Sequence, residues 1–166
     1  MFAARGYPDS VRDAYQDKLD QLATSLASAC ELVADALDKA TQALLHADLQ
    51  LAEQVISDDA RIDDFRAAAE EQVIALLALQ APVATDLRIV LSGLHAAMAI
   101  ERMGDLAEHI ATIARRRHPH QVLPADVAPY VAEMGRIGSS LARGAAEVIQ
   151  TRDLTRSATF ISASPK

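Results

Sequence analysis

Apolar residues recur along this chain at steps of three and four, and that recurrence divides it into long helices. Tyr15, Leu19, Leu22, Leu26, Ala29, Val33, Ala36, Ala40 and Ala43 alternate the two steps, an a/d seam sustained over about four heptads. Cys30, Leu37 and Leu44 widen it into a bundle-type face. Pro8-Asp9-Ser10 is a helix-start signal, and no glycine or proline follows until Pro82. A single helix over that stretch would be about 110 Å long, so the chain must fold back. The best break is His46-Ala47-Asp48, where Asp48 can cap the next helix. The pattern therefore predicts a first helix over 9–46 and a second over 48–80. The second carries its stripe on Ala52, Val55, Ile56, Ile62, Ala69, Val73, Leu76 and Leu77.

Pro82 ends the second helix and suits the first turn of a third, which runs to Arg117 and stops at Arg115-Arg116-Arg117-His118-Pro119. The three arginines oppose the helix dipole, as a capped helix end would. Pro119 and Pro124 bracket a loop, and a fourth helix is predicted over 125–150 with Val127, Val131, Met134, Ile137, Leu141, Ala145 and Val148 on one side. Gly135, Gly138 and Gly144 weaken that helix and allow close packing on a neighbour. A weak internal echo links Leu44, Asp48 and Leu49 to Ile149, Asp153 and Leu154, as if the fourth helix repeated the first. The fold class is all-α, an antiparallel bundle of long helices.

Composition narrows the function. Of 166 residues 51% are hydrophobic, only 4% are aromatic and none is Trp, so the core is aliphatic and alanine-rich. That suits helices packed along their length rather than a sandwich or barrel. A net charge of −7 argues against nucleic-acid binding, which needs a basic face. The single cysteine, Cys30, excludes an internal disulfide and thiolate zinc, and its place on the stripe makes it a small buried hydrophobe. The longest uncharged runs, Gln72–Thr85 and Ile89–Ile100, fall short of the roughly 20 residues a bilayer requires. The N-terminus lacks an apolar core of signal-peptide length, so the expectation is a cytoplasmic protein.

The densest polar cluster lies on the third helix: Asp86 and Arg88 near its start, then Glu101, Arg102, Asp105, Glu108 and His109. Glu101 and Asp105, four apart, project from one face, and His109 extends the row. By periodicity these groups face away from Ile100, Met103 and Ala107, so a solvated charged face competes with a ligand site. Asp59 and Asp63 repeat the four-residue spacing on the second helix. Carboxylate and imidazole ligands suit hard or borderline cations such as iron, zinc, manganese or magnesium. Leu87, Leu91, Leu94 and Met98 point the same way as the later charges; with Arg102 they form a candidate partner-binding face, unless a fourth helix crosses there. No catalytic serine elbow, phosphate-binding glycine loop or nucleotide fingerprint occurs, and His46, His95, His118 and His120 have no consistent partner by spacing. Nothing points to an enzyme.

Pro82 through Arg88, then Ile100-Glu101-Arg102-Met103-Gly104-Asp105-Leu106-Ala107 and Ile110-Ala111, together with Ala52, Val55, Asp59, Ile62 and Asp63, resemble the PhoU family. The shared pattern is a proline, D-L-R, and about a dozen residues later E-R-I-G-D. The resemblance implies two similar three-helix bundles, often dimeric, that negatively regulate phosphate uptake and the phosphate-starvation response. It implies contact with the ATP-binding subunit of the phosphate transporter and with a sensor histidine kinase, peripheral to the membrane and without insertion. It also implies, for some members, iron or zinc clusters on E/D-x-x-x-D carboxylates. Glu101 and Asp105 match that motif; Asp59, Asp63 and Asp86 are weaker candidates. The chain departs from the pattern in carrying His109 where asparagine is usual, and in lacking the fifth and sixth helices, so a C-terminally truncated second repeat is expected. The division is a tail over 1–8, a three-helix bundle over 9–118, a loop and fourth helix over 119–152, and a tail over 153–166. A metal-binding bundle with a storage or redox role, or a simple oligomerisation module, are the alternatives.

Overall fold

The computed structural model describes residues 9–79 and 84–152. They form five helices: α1 (Asp9–His46), α2 (Leu49–Asp58), α3 (Ala60–Leu79), α4 (Ala84–Arg117) and α5 (Ala128–Thr151). The fold is all-α. The predicted tails and the helix boundary at Pro82 lie outside the described residues.

α1 is the spine. Its 38 residues extend about 57 Å, and each of the other helices packs against it. α4 runs parallel to it, with Gly93 against Leu22 and Leu26. α5 runs antiparallel, with Gly135 against Thr41 near one end and Arg152 bonded to Asp20 at the other. The seam read from the sequence is the core: Tyr15, Leu22, Leu26, Ala29, Val33, Ala40 and Ala43 are all buried. One half of the core holds Val33, Val73, Leu76 and Val90, each burial of a large aliphatic stabilising by about 1.5–3 kcal/mol. The other half is mostly alanine, with Ala40, Ala43, Ala52, Ala107, Ala111 and Ala114. Such short side chains let helix axes approach to the near end of the usual 8–10 Å. Cys30 is buried in the first half, beside Val33, as a hydrophobe; desolvation, then the charge of Glu31, pushes its thiol up to about 11.

The turn after α1 falls where expected. Ala47 takes a left-handed conformation (φ 53), the Asp48 N–H bonds the Ala43 carbonyl, and the Asp48 carboxylate accepts the Leu51 N–H at 3.0 Å. This is a Schellman stop followed at once by an N-cap. Asp48 is thus the cap, and the helix begins one residue later than predicted.

Two expectations need correction. The single second helix is interrupted at Asp59, giving α2 and α3. Asp59 keeps helical torsions, and its carbonyl accepts from both Ile62 N (2.8 Å) and Asp63 N (3.2 Å). This tightening to a three-residue step leaves no glycine or proline to announce it. Second, α5 starts at Ala128, after a turn in which Val127 and Ala128 N–H groups bond the Pro124 carbonyl, with Pro129 in its first turn. Its buried face comprises Ser139, Ala142, Gly144 and Ala146, not the apolar stripe read from periodicity. Val127, Met134 and Leu141 of that stripe are exposed. The small face wins because it fits against α1: a Cβ on Gly135 would stand 2.3 Å from Thr41 Oγ1. Arg143 reinforces the contact, donating to Asp35 (2.9 Å) and Asp38 (2.8 Å).

Candidate functional site: an acidic junction between α2, α3 and α4

The interruption at Asp59 faces a glycine. Gly104 of α4 is buried, and a Cβ built on it would lie 2.9 Å from Ile62 Cδ1 and 3.4 Å from Asp59 Oδ1. Only a residue without a side chain lets Ile62 seat against α4 at this distance, and that contact carries Asp59 in with it. Glu101 and Asp105 flank Gly104 on α4, Glu108 follows them, and Asp63 stands one turn beyond Asp59.

Their proximity is recorded in Asp59. Its carboxyl is pushed above the usual carboxylate range, first by burial and then by the charges of Asp63, Asp105, Glu108 and Glu101. Like charges that cannot separate favour the protonated form of the most enclosed member. Two neighbours relieve the edges of the group. Arg66 Nε lies 4.0 Å from Glu101, and Thr112 donates to Glu108 at 2.7 Å. Beside Asp59 a cavity of about 120 Å³ opens between α1 and the α2–α3 junction, bordered by Asp35, Lys39, Asp58 and Arg61.

Three other candidate ligands, Asp63, Glu101 and Asp105, therefore lie near enough to Asp59 for their charges to act on it. The α4 carboxylates do not face freely outward as the periodicity predicted. Glu101 and Glu108 side chains are only 24% and 25% exposed, because α3 and the α2–α3 junction pack beside them. Among the described residues no three acidic, imidazole or thiol groups converge closely enough to cage one ion. Asp86 is elsewhere; its charge is felt by buried Tyr15, whose hydroxyl it helps to push up after the larger effect of burial. His109 is exposed and approaches Glu108, at 3.9 Å. Glu108, absent from the candidate ligands, belongs to the cluster; its seven-residue step from Glu101 was the available signal. Gly104 was equally legible as the glycine of the E-x-x-G-D run.

Of the candidate partner face, Leu87, Leu91 and Met98 are exposed and Arg102 stands beside Met98 on the surface. Leu94 departs from this row. It packs against the core, since α4 leans on α1 at the adjacent Gly93. α5 does not cross this face of α4: among the described residues the two backbones do not come within packing distance of each other.

Residues 26–114, from α1 through α4, match the PhoU domain. The chain belongs to the PhoU family. All five clustered carboxylates lie inside the matched stretch, and α5 lies beyond it. The chain is 51% identical over 148 residues to the phosphate-specific transport system accessory protein PhoU homolog 1 of Mycobacterium leprae, covering 89% of this chain and 67% of that protein. It is 50% identical to PhoU homolog 2 of Mycobacterium tuberculosis, covering 89% and 70%. A PhoU homolog of Aquifex aeolicus is 38% identical over 94 residues, 57% of this chain and 42% of that one. Family membership also accounts for the sequence pattern around Pro82–Arg88 and Glu101–Asp105.

Proposed function

We propose that this chain is a non-enzymatic accessory protein of phosphate transport, a negative regulator of phosphate uptake and starvation signalling in the cytoplasm. The observation that carries this reading is the half-identity, over 148 residues, to relatives named for that accessory role. No helix among the described residues is long and apolar enough to cross a membrane, in keeping with docking at a membrane complex from one side. Regulation here is binding. A preformed bundle offers Leu87, Leu91 and Met98 as an apolar row with Arg102 at its edge, and a rigid surface loses little entropy when a partner seats on it. The partners in this reading are the transporter's ATP-binding subunit and a sensor histidine kinase, with the chain acting as a dimer.

The test is a binding titration against the purified ATP-binding subunit and the kinase's cytoplasmic portion, with Leu91→Glu and Met98→Glu alongside and light scattering for the oligomeric state. Saturable binding weakened by either change supports the reading. A folded chain that binds neither partner overturns it.

A second reading is favoured by the crowding around Asp59. The oxygen-only donor set fits hard cations, and a bound cation would relieve the repulsion that now raises Asp59. Because no three groups converge among the described residues, the fit is to a hydrated ion held between Asp59, Asp63, Glu101 and Asp105 rather than to a closed cage. Such an ion would supply positive charge to an acidic surface, giving phosphate or a partner's carboxylate a place to bind. Equilibrium dialysis with manganese, magnesium, zinc and iron tests this. Retention lost in the double change Glu101→Ala and Asp105→Ala supports it, and no retention above that of the double variant refutes it.

A further inference from the structure

The end of the bundle where α1 and α4 finish is charged unlike the rest of the molecule. Arg115, Arg116 and Arg117 close α4, His118 and His120 follow them, and all are exposed. His118 Nδ1–H donates to the Ala47 carbonyl at 3.0 Å, which ties the end of α4 to the end of α1 and sets exposed His46 at the same end. Beyond this tie Val122 and Leu123 fold back onto the alanine half of the core. The loop thus covers the bundle end with its apolar side chains inward and leaves the basic ones outward. No acidic residue occurs from His109 through Ala125, although the chain's net charge is −7. α2 and α5 also begin at this end, and neither carries an acid in its first turn, where the helix dipole would favour one. The Asp48 carboxylate is turned to the Leu51 N–H.

Several other arginines are held by carboxylates: Arg66 by Glu70, Arg136 by Glu133, and Arg143 by Asp35 and Asp38. Among the described residues no acid pairs with Arg115, Arg116 or Arg117. The end of α4 carries only about half a negative charge, so three arginines exceed what its dipole asks for. Their directions matter more than their number. Successive helical residues turn by about 100°. Ala114 points into the core, and the three arginines fan out over the remaining directions around the helix end. Charges that diverge cannot clamp one phosphate or carboxylate between them. A sheet of anions can meet all three, because each stem is long enough to swing its charge past the helix end.

We propose that this bundle end is a docking surface for an anionic membrane, where Arg115, Arg116 and Arg117 meet lipid phosphates and the helices stand steep to the bilayer. In that pose the acidic junction is held back. Asp105 lies eleven residues down α4 from Arg116, about 16 Å and roughly two screening lengths at physiological salt. An acidic polypeptide is the poorer occupant, since one chain would have to wrap the helix end to reach three diverging charges. The surface is built from residues that precede α5 and faces along the helix axes, where neighbours packed sideways on the bundle do not cover it. It shares no residue with the carboxylate junction or with the row of Leu87, Leu91 and Met98. The proposal deepens the reading of docking at a membrane complex and rests on it, but lipid alone tests it.

The probe is co-sedimentation of the full chain with vesicles of phosphatidylcholine, either alone or with about one-third phosphatidylglycerol, at low and high salt. Two triple variants accompany it, Arg115→Gln with Arg116→Gln and Arg117→Gln, and the same three positions changed to Lys, each checked for unchanged helicity. The expected result is saturable binding to the anionic vesicles, weakened by salt, and none to phosphatidylcholine alone. Each basic charge near an anionic surface contributes about fivefold, so the glutamine triple binds on the order of a hundredfold more weakly. The lysine triple stays close to the unmodified chain, because a lipid surface reads the charge rather than the guanidinium fork. No binding to the anionic vesicles, equal binding to both compositions, or binding that the glutamine triple retains overturns the proposal. So does a labelled polyglutamate peptide that binds where anionic vesicles do not, which would give the surface to an acidic protein. Binding to the ATP-binding subunit is titrated in parallel; where it persists and vesicle binding fails, only the lipid surface falls.

Discussion

Asp59 stands against Gly104, so close that a single added carbon on α4 would come to 3.4 Å from its carboxylate and 2.9 Å from the Ile62 that anchors it. Gly104→Val should therefore separate α4 from the α2–α3 junction. Added bulk in a packed contact costs about 1–3 kcal/mol, which exceeds the few tenths that valine gains over glycine as a helix former. Urea unfolding should show the loss.

The crowding at Asp59 has a pH signature. The folded carboxyl titrates above its usual 3.8. Below pH 3.8 it is protonated folded or unfolded and contributes nothing. Between 3.8 and its raised value the folded state keeps a proton the unfolded chain has lost, so stability falls as pH rises, and the full penalty persists above. Asp59→Asn should stabilise the protein at pH 7, by about a few tenths of a kcal/mol because the group is only partly buried and solvent screens it. The gain should vanish below the usual carboxylate range. Thermal unfolding at pH 7 and pH 3 compares the two, and an equal gain at both would contradict the charge account.

Close approach of α5 to α1 rests on Gly135. A Cβ there would meet Thr41 at 2.3, 2.6 and 2.9 Å, and Thr41 is held in place by donating to the Leu37 carbonyl at 2.7 Å. Gly135→Ala ordinarily gains about 1 kcal/mol in a helix interior. Here the clash is with the body of a fixed side chain, and the net effect should be a loss of about 1–2 kcal/mol. The double change with Thr41→Ser, which removes the γ-methyl contact at 2.6 Å, should recover part of it.

Ala47 pays for the α1–α2 turn with a left-handed backbone (φ 53). An L-residue with a Cβ costs about 1–2 kcal/mol there, and glycine avoids it at some cost in unfolded-state entropy. Ala47→Gly should stabilise by about 0.5–1 kcal/mol in denaturant unfolding. Arg152 (φ 55) holds the equivalent place at the end of α5, where the echo between Leu44–Leu49 and Ile149–Leu154 aligns it with Ala47. The two echoed helix ends thus share a left-handed residue, and Arg152→Gly should give a smaller gain because it also removes the Arg152–Asp20 ion pair.

What could be read from the sequence was periodic or local. The all-α class, the α1 seam from Tyr15 to Ala43, the stop at Ala47 with its Asp48 cap, and the four-residue spacing within each of the pairs Asp59/Asp63 and Glu101/Asp105 follow from spacing, capping chemistry and a motif carried on consecutive turns; that the two pairs neighbour each other does not. What spacing leaves open is which of two usable faces a helix buries. α5 carries a large apolar stripe through Met134 and Leu141 and a small one through Gly135, Ser139 and Ala142. Only the neighbouring surface of α1, with Thr41 and its acidic residues, selects the small one. Likewise the carboxylates of α4 read as solvated until α3 is laid beside them. The break at Asp59 leaves no trace in composition, because it is a change in hydrogen bonding among residues that all remain helical. Periodicity is a property of one helix; the choice among its faces is a property of pairs.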